Sequence, residues 1–351
     1  MLDAALEAAN VLNSSAPVLS NDEVRALLHD MYGIEGNITP LTSERDKNYH
    51  VLTSDGRDVL LKITNVAEPV EITRFQTGAL LQIAKACPSL PVPRIVPTRT
   101  GEHLRIVDLP GQGASVVRML TYLHGEPLHR ITRSAAQRRN IAICLATLDL
   151  ALEEAAPPSI PHELQWDIKN AAKLRSKIEA LSSPAERARA ARVIDEFDSD
   201  VAPLLPRLRK QVVHNDFNPH NILVAPDDST RVTGILDFGD MVETPLIVDL
   251  ATACAYQVAP AAHPLETIGE FVNAYHGVCP LAPDELAVLF GLIKARLATT
   301  IVITSWRAQR YPENRVYITR NTGPAWSALE VLENVGSAEA RDYLLHACKI
   351  R

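Results

Sequence analysis

Short apolar runs with turn residues between them fill the first third of the chain. Residues 38–41, 49–52 and 59–63 are β-prone runs, and the turn-forming residues 54–56 separate the last two. Three runs of this length, joined closely along the chain, predict an antiparallel meander.

One helix is inserted into this strand-rich region. Residues 69–86 carry apolar side chains at helical spacing, and a proline-rich segment, residues 88–97, follows them. Two more β-prone runs come next, at residues 104–108 and 115–122. A capping-box pattern that starts at Ser20 predicts a further short helix before the first strand.

From about residue 133 the apolar spacing becomes that of long helices. A polar island interrupts it, in which residues 211–224 and 231–241 form two β-prone runs with polar residues at their ends. The other stretches have apolar residues every three or four positions and predict helices over residues 133–155, 167–181, 185–201, 246–257, 264–275, 283–309 and 323–346.

A sheet followed by many helices predicts an α+β fold with two lobes. We expect an antiparallel-sheet N-terminal lobe over residues 1–123 and a mainly helical C-terminal lobe over residues 124–351, with the boundary near His124 and Gly125. A chain of 351 residues with 46% apolar and 22% charged residues has ordinary globular composition and can bury a core in each lobe.

The net charge and the spacing of the cysteines indicate which partners and which cellular compartment to expect. A net charge of -7 argues against nucleic acid or an anionic membrane as a partner, because both attract a basic surface, and a small polar substrate fits better. The five cysteines lack the spacing of a disulfide framework or a zinc site, so we expect a cytoplasmic protein. The apolar stretch 291–306 is interrupted by Lys294 and Arg296, so we expect no membrane span.

The polar island carries the residues that suggest chemistry. His214, Asp216 and Asn221 match the pattern H-x-D-x-x-x-x-N, and Asp237 follows in an Asp-Phe-Gly triplet. Phosphoryl transfer needs a carboxylate that accepts the proton of the attacking hydroxyl and oxygen ligands for a metal on the phosphates. The pattern predicts Asp216 as the catalytic base and Asn221 with Asp237 as ligands of Mg²⁺.

Each part of this pattern alone has a plainer explanation. A single His or Asp at the end of a strand is more often a hydrogen-bonded structural residue than a catalyst. The joint pattern, with its hairpin spacing and β-prone flanks, favours the functional interpretation. We expect His214 itself to be a structural member of the loop rather than a proton carrier.

The island resembles the catalytic loop of the aminoglycoside phosphotransferase and choline kinase superfamily, whose fold is that of protein kinases. The sequences HNDFNPHNILV, ILDFGDM and, at residues 249–251, DLA look most like the hydroxylysine kinase branch, as does SERDKNYHV at residues 43–51. The C-terminal stretch from Arg296 to Trp326 resembles that branch as well. The resemblance extends over nearly the whole chain and implies a two-lobed protein-kinase-like fold.

The resemblance implies a nucleotide-binding N-terminal lobe. Residues 43–49 take the place of the glycine-rich loop, and Lys62 takes the place of the lysine that binds phosphate from the third strand. Its acidic partner on the next helix is left open between Glu71 and the position of Gln76. The run 116–123 resembles the hinge that binds the base through its backbone, although a plain buried strand is an equal alternative. The nucleotide-binding residues expected on this basis are Ser43, Arg45, Asn48, Lys62, Met119 and Thr121.

The same resemblance implies that the C-terminal lobe holds the acceptor. Trp166 and Asp167 resemble a Trp-Asp pair of the hydroxylysine kinase branch, with simple lobe packing as the alternative. Asp240 is expected to face the same cleft. Arg307 and Arg310 are candidates for binding a carboxylate, although arginines on helices are more often solvated.

The sequence therefore predicts a Mg²⁺-dependent kinase that uses ATP or GTP to phosphorylate an amino alcohol or a hydroxy amino acid, with 5-hydroxylysine as the first choice. Kinases of homoserine, choline or aminoglycosides are alternatives within the superfamily. A nucleotide-binding regulatory pseudokinase is the alternative outside catalysis, and the intact Asp216, Asn221 and Asp237 argue against it. The nucleotide, the oligomeric state and the pathway stay open.

Overall fold

An antiparallel sheet forms the N-terminal lobe of the computed structural model, which describes residues 15–43, 45–258 and 263–350. The strands are ordered β1-β2-β3-β6-β4, and β5 also pairs with β6. The six strands are β1 (Gly36–Leu41), β2 (Lys47–Thr53), β3 (Asp58–Ile63), β4 (Ile95–Val96), β5 (Arg105–Leu109) and β6 (Gly113–Thr121).

The strand register puts three polar residues in one row across the sheet. Lys62 on β3 lies opposite Asn48 on β2 and opposite Arg118 on β6. Side chains alternate between the two faces of a strand, so Val59 and Ile63, which are buried, belong to the other face, where the core of this lobe lies. The row therefore faces the C-terminal lobe and lines the cleft between the lobes.

Two helices pack on the N-terminal sheet. Helix α1 (Asn21–Leu27) begins with the predicted capping box of Ser20 and continues as a π-helical turn, Leu28–Tyr32. Helix α2 (Val70–Ala86) buries one apolar face in the large core that continues into the C-terminal lobe. This shared core joins the two lobes.

The C-terminal lobe is mainly helical. The predicted helix over residues 167–181 is a 3-10 helix, Ile168–Ala180, and the stretch 323–346 is broken near Val335 into two helices. The helices of this lobe are α3 (Ala135–Leu152), α4 (Pro184–Glu196), α5 (Ile247–Cys254), α6 (Glu266–His276), α7 (Pro283–Arg310), α8 (Arg315–Ile318), α9 (Thr322–Leu332) and α10 (Ser337–Ala347).

Helix α7 runs through the core of the C-terminal lobe. It is the one helix among the described residues that is long and apolar enough to cross a membrane, but 89% of its most apolar window is buried inside the protein. Its buried threonines bond to its own backbone, as Thr300 does to the carbonyl oxygen of Arg296 at 3.1 Å. In this structure α7 is therefore a core helix that also carries buried polar side chains.

Two small sheets carry the polar island. Strand β8 (Lys210–Val213) pairs with β11 (Val242–Pro245), and β9 (Ile222–Val224) pairs with β10 (Val232–Ile235) and with β7 (Glu126–Pro127). The loops that leave or enter these strands meet at the cleft between the lobes. The α+β fold with a sheet-rich first part and a helical second part is confirmed, and the proposed boundary, which falls between β6 and β7, stays a prediction.

Candidate active site between the lobes

A cleft of about 770 Å³ lies between the two lobes and is lined from both sides. Its volume is in the range of sites for small molecules and cofactors. Eleven of the fourteen residues that the sequence singled out line it: Ser43, Arg45, Asn48, Lys62, Thr121, Trp166, Asp216, Asn221, Asp237, Asp240 and Arg307.

Asp249, in the first turn of α5, holds the loop that follows β8. The Asp249 carboxylate accepts hydrogen bonds from the backbone N–H groups of His214 and Asn215, at 3.1 and 2.8 Å. Asn215 has φ +63°, a left-handed conformation that costs about 1–3 kcal/mol and occurs at functional sites. A buried carboxylate thus fixes the strained turn immediately before Asp216.

His214 has the structural role that the sequence predicted. Its Nδ1 accepts a hydrogen bond from the backbone N–H of Asp216 at 3.2 Å, and its Nε2 lies 2.9 Å from the carbonyl oxygen of Leu236. A carbonyl oxygen only accepts, so Nε2 carries the proton and the ring is neutral. His214 is fully buried, and its ring ties the Asp216 loop to the residue before Asp237.

Both carboxylate oxygens of Asp216 are held. Asn221 Nδ2 donates to Oδ2 at 2.7 Å, and Arg296 Nη2 donates to Oδ1 at 3.2 Å. Burial, together with the nearby Asp240 carboxylate, raises the pKa of Asp216 to about 6, and the Arg296 charge opposes this shift. The group is thus oriented, and its pKa lies near the range in which a general base works at neutral pH.

Asn221 and Asp237 both line the cleft, and each carries a side-chain oxygen atom that can bind a metal ion. The backbone N–H of Leu236 donates to the carbonyl oxygen of Asn221 at 2.7 Å, which places Asp237 beside it. Because Asn221 uses its amide nitrogen on Asp216, its amide oxygen points elsewhere. Asp237 has φ +57° and uses Oδ1 to accept from the N–H of Gly239 at 3.2 Å. One carboxylate and one amide oxygen are the hard ligands that Mg²⁺ prefers.

Lys62 pairs with an acid that the sequence analysis did not consider. Its Nζ lies 2.7 Å from Asp46 Oδ2, and both side chains are mostly buried. The open choice between Glu71 and Gln76 is therefore corrected, since Glu71 is exposed and Gln76 accepts a hydrogen bond from Arg118 at 2.6 Å. The partner of Lys62 comes from the segment over the cleft because Asp46 and Lys62 lie at the same end of neighbouring strands.

An ion pair connects the two lobes across the cleft. Arg45 Nη2 lies 2.7 Å from Asp240 Oδ1, and both side chains are largely buried. The segment that carries Arg45 is held by Asn65, whose Nδ2 donates to the carbonyl oxygen of Arg45 and whose N–H donates to Asp46. The 43–49 segment thus contacts both the N-terminal lobe and the Asp-Phe-Gly turn.

Three expected site residues lie outside the cleft. Met119 is fully buried with its backbone paired to both β3 and β4, and the segment that lines the cleft is the following one, residues 120–123. Asp167 is buried where it caps the 3-10 helix and accepts from Thr244, and Arg310 stacks on Trp306. These three residues are therefore not among those that line the cleft, and their binding roles stay predictions.

Arg296 is the main cleft residue that the sequence analysis missed. It was treated only as a charge that interrupts an apolar stretch, whereas its side chain is 3% exposed and contacts Asp216. A charge in the middle of a strongly apolar helix was the available signal, because buried charges require a partner. Asp46 was missed for a different reason, since only the strand register shows that it reaches Lys62.

A profile of the phosphotransferase enzyme family matches residues 37–289, which is more than half of the chain. The chain belongs to this family. It is an enzyme, a small-molecule kinase, and the family resemblance that the island suggested is confirmed.

The relatives and solved structures agree with this assignment. Hydroxylysine kinase of Mus musculus is 29% identical over 359 residues, covering 96% of this chain and 95% of the mouse protein. The microcompartment-associated aminopropanol kinase superposes with a TM-score of 0.65 at 16% identity, covering 95% of this chain and 99% of its own. Amicoumacin kinase in complex with AMP-PNP, Ca²⁺ and Ami superposes with a TM-score of 0.64 at 13% identity, covering 87% of this chain and 94% of its own. The two structures confirm the kinase-like fold.

Proposed function

We propose that this kinase transfers the terminal phosphoryl group of ATP or GTP to the hydroxyl of an amino alcohol or hydroxy amino acid, with 5-hydroxylysine as the first choice. The observation that carries the proposal is the Asp216 carboxylate, held at both oxygens in a cleft that also contains acidic, basic and aromatic side chains. The similarity to hydroxylysine kinases over nearly the whole chain supports the choice of acceptor.

Asp216 acts as the base in this proposal. The acceptor hydroxyl donates its hydrogen to the Asp216 carboxylate and its oxygen attacks the terminal phosphorus. The bond between that phosphorus and the bridging oxygen breaks, and the electron pair leaves with the nucleoside diphosphate. Asp216 takes up the proton and passes it to water as the products leave, because a carboxyl group with a pKa of about 6 is mostly ionised at neutral pH.

Asn221 and Asp237 would hold a divalent cation, with Mg²⁺ as our choice. The donor set fits, because Mg²⁺ is commonly bound by one or two protein oxygens together with phosphates and water. Within the described part of the chain, no three His, Cys, Asp or Glu side chains converge as a metal cluster, which suits an ion that arrives with the nucleotide. The bound ion would neutralise charge on the transferred group.

The N-terminal lobe would bind the nucleotide. Lys62 and Arg45 are cations in the same cleft as Asp237 and are our candidates for binding the phosphates, and Ser43, Asn48 and Thr121 also line this cleft. Among the described residues the backbone of Leu123 makes no hydrogen bond, so it is available to the base. In this assignment Asp46 holds Lys62 until the phosphates replace it.

Lys62→Ala is expected to lower kcat/KM for the nucleotide by about 10²-fold, with the KM for the acceptor within about twofold of wild type, because the lysine would contact phosphate oxygens only. Initial rates over a nucleotide-by-acceptor grid measure both. Lys85→Ala, an exposed lysine on α2, is the matched control. A change confined to the acceptor KM would show that the two lobes have been assigned the wrong ligands.

The acceptor end of the cleft has the charges that an amino acid requires. Asp240 offers a carboxylate, Arg307 and the more exposed Arg320 offer guanidinium groups, and Trp166 offers an aromatic face. A hydroxylated diamino acid carries a carboxylate and ammonium groups, each of which such side chains bind. Choline and ethanolamine lack the carboxylate.

A single enzyme preparation is expected to phosphorylate 5-hydroxylysine with a higher kcat/KM than choline, ethanolamine, homoserine or kanamycin. Each missing charge removes an interaction between the acceptor and the cleft at a cost of about 1–3 kcal/mol, which is roughly 5- to 150-fold per group. The assay couples diphosphate release to a colour change and is run with both ATP and GTP. Preference for an acceptor without a carboxylate would reject the amino-acid hypothesis while leaving the kinase assignment intact.

A further inference from the structure

Arg296 is a buried cation in the long core helix α7. It lies in the middle of α7, and its side chain is 3% exposed. Burying a charge is costly, and a buried ion pair on balance adds little stability compared with apolar side chains of similar size. Stability alone therefore does not explain an arginine at this position, and its contacts indicate another role.

The guanidinium group of Arg296 connects two parts of the cleft. Nη2 donates to Asp216 Oδ1 at 3.2 Å, and Nη1 donates to the backbone carbonyl oxygen of Trp166 at 3.1 Å. The guanidinium carbon also lies 5.5 Å from the centre of the Trp166 ring, in the range of a cation–π contact. One planar group thus contacts both the proposed base and the aromatic wall of the acceptor end.

We propose that Arg296 is a positioning residue, which holds the Asp216 carboxylate in the orientation for proton acceptance and fixes Trp166 relative to it. The proposal rests on the proposed role of Asp216 as the base. Asn221 restrains one carboxylate oxygen from the side of the phosphates, and Arg296 restrains the other from the side of the acceptor. With both oxygens held, the carboxylate does not rotate about its last torsion when the acceptor hydroxyl arrives.

The geometry also explains why the residue is an arginine. A guanidinium has several N–H donors fixed in one plane, so it reaches the Asp216 carboxylate and the Trp166 carbonyl at once while its face packs on the ring. A lysine ammonium at the same place offers charge without the planar fork. Arg189, on α4, stacks on Trp326 and pairs with Glu333 away from the residues that line the cleft, and it gives a matched comparison.

Arg296→Gln is expected to lower kcat about 10²-fold, with the KM for the nucleotide within about twofold of wild type, because a misplaced base slows the chemical step without removing a nucleotide contact. Arg296→Lys is expected to lose less, about tenfold, and Arg189→Gln to match wild type. Circular dichroism and thermal melting establish that each variant is folded before rates are compared. If Arg296→Gln does not fold, the Lys variant decides, and a wild-type kcat in it would overturn the proposal.

A double-mutant cycle with Asp216→Asn separates positioning from a general structural role. If Arg296 acts through Asp216, adding Arg296→Gln to the Asp216→Asn enzyme leaves the residual turnover unchanged, because the positioned group is already lost. An additional loss equal to that in the wild-type background would overturn the proposal. So would an effect on the acceptor KM alone, since Arg296 would then be an acceptor-binding residue.

The cycle also distinguishes failure of this inference from failure of the proposed base. Near-wild-type turnover of Asp216→Asn would reject Asp216 as the base, and the role of Arg296 would be rejected with it. A large loss in Asp216→Asn beside an unchanged Arg296→Gln enzyme would reject only the positioning role.

Discussion

Asp216→Asn is expected to reduce kcat by about 10²- to 10⁴-fold while the nucleotide still binds, because a positioned proton acceptor contributes a factor of this size. Asparagine has nearly the same shape and keeps an oxygen for Asn221 Nδ2, but its neutral amide does not accept the proton of the hydroxyl. Coupled-assay rates measure kcat, and calorimetry with a non-hydrolysable nucleotide measures binding.

The matched control is Asp227→Asn, an exposed aspartate in the turn between β9 and β10 whose contact is an ion pair with Arg231. It is expected to keep wild-type rates, because exposed ion pairs contribute little. Turnover of Asp216→Asn within a few-fold of this control would reject the assignment of the base. Loss of nucleotide binding together with turnover would mean that the substitution disturbs the loop rather than the chemistry.

The local structure of the polar island was predictable because a short stretch of sequence determines it. Strand-forming residues on either side of Asp216 and Asn221 fix where the chain turns, and hydrogen bonds within the island fix where the side chains point. Local patterns of this kind are sufficient to predict an arrangement of residues when those residues lie only a few positions apart in the sequence.

Contacts between distant segments were not predictable in the same way. The family resemblance made Lys62 a candidate, but its partner depends on the register between β2 and β3, which brings Asp46 beside it rather than an acid of α2. The contact between Arg296 and Asp216 joins residues 80 positions apart. No periodicity in either segment specifies such a pair.

The position of Asp167 outside the cleft lining has a different cause. For Asp167 the residue type and its place beside Trp166 suggested the cleft, yet its carboxylate is directed to the first turn of the 3-10 helix and to Thr244. An aspartate just before a helix commonly caps the first free N–H groups. The same residue types cap helices and bind ligands, so only the folded structure shows which of the two roles a given aspartate has.

The expected effect of removing the Asp237 carboxylate is a loss of about 100-fold or more in kcat with a raised Mg²⁺ requirement, because the bound ion stabilises charge in the transition state by several kcal/mol. The left-handed backbone at Asp237, φ +57°, governs the choice of variant. Alanine in that conformation adds strain of roughly 1–2 kcal/mol, whereas glycine adopts it freely and asparagine tolerates it. Asp237→Gly and Asp237→Asn therefore test the ligand without adding backbone strain.

The Mg²⁺ requirement is expected to rise from wild type to Asp237→Asn and from Asp237→Asn to Asp237→Gly. Asparagine keeps one neutral oxygen near the proposed ion and should need more Mg²⁺ than wild type, and glycine, which offers no side-chain ligand, should need the most. Titration of initial rates with Mg²⁺ at saturating nucleotide gives the half-saturating concentration for each enzyme, with Asp228→Gly in the exposed β9–β10 turn as the control. Equal half-saturating concentrations in wild type and Asp237→Gly would show that Asp237 is not a metal ligand. If both variants raise the concentration to the same degree, the negative charge of Asp237 matters rather than its oxygen atom, because the ion then gains nothing from the neutral amide.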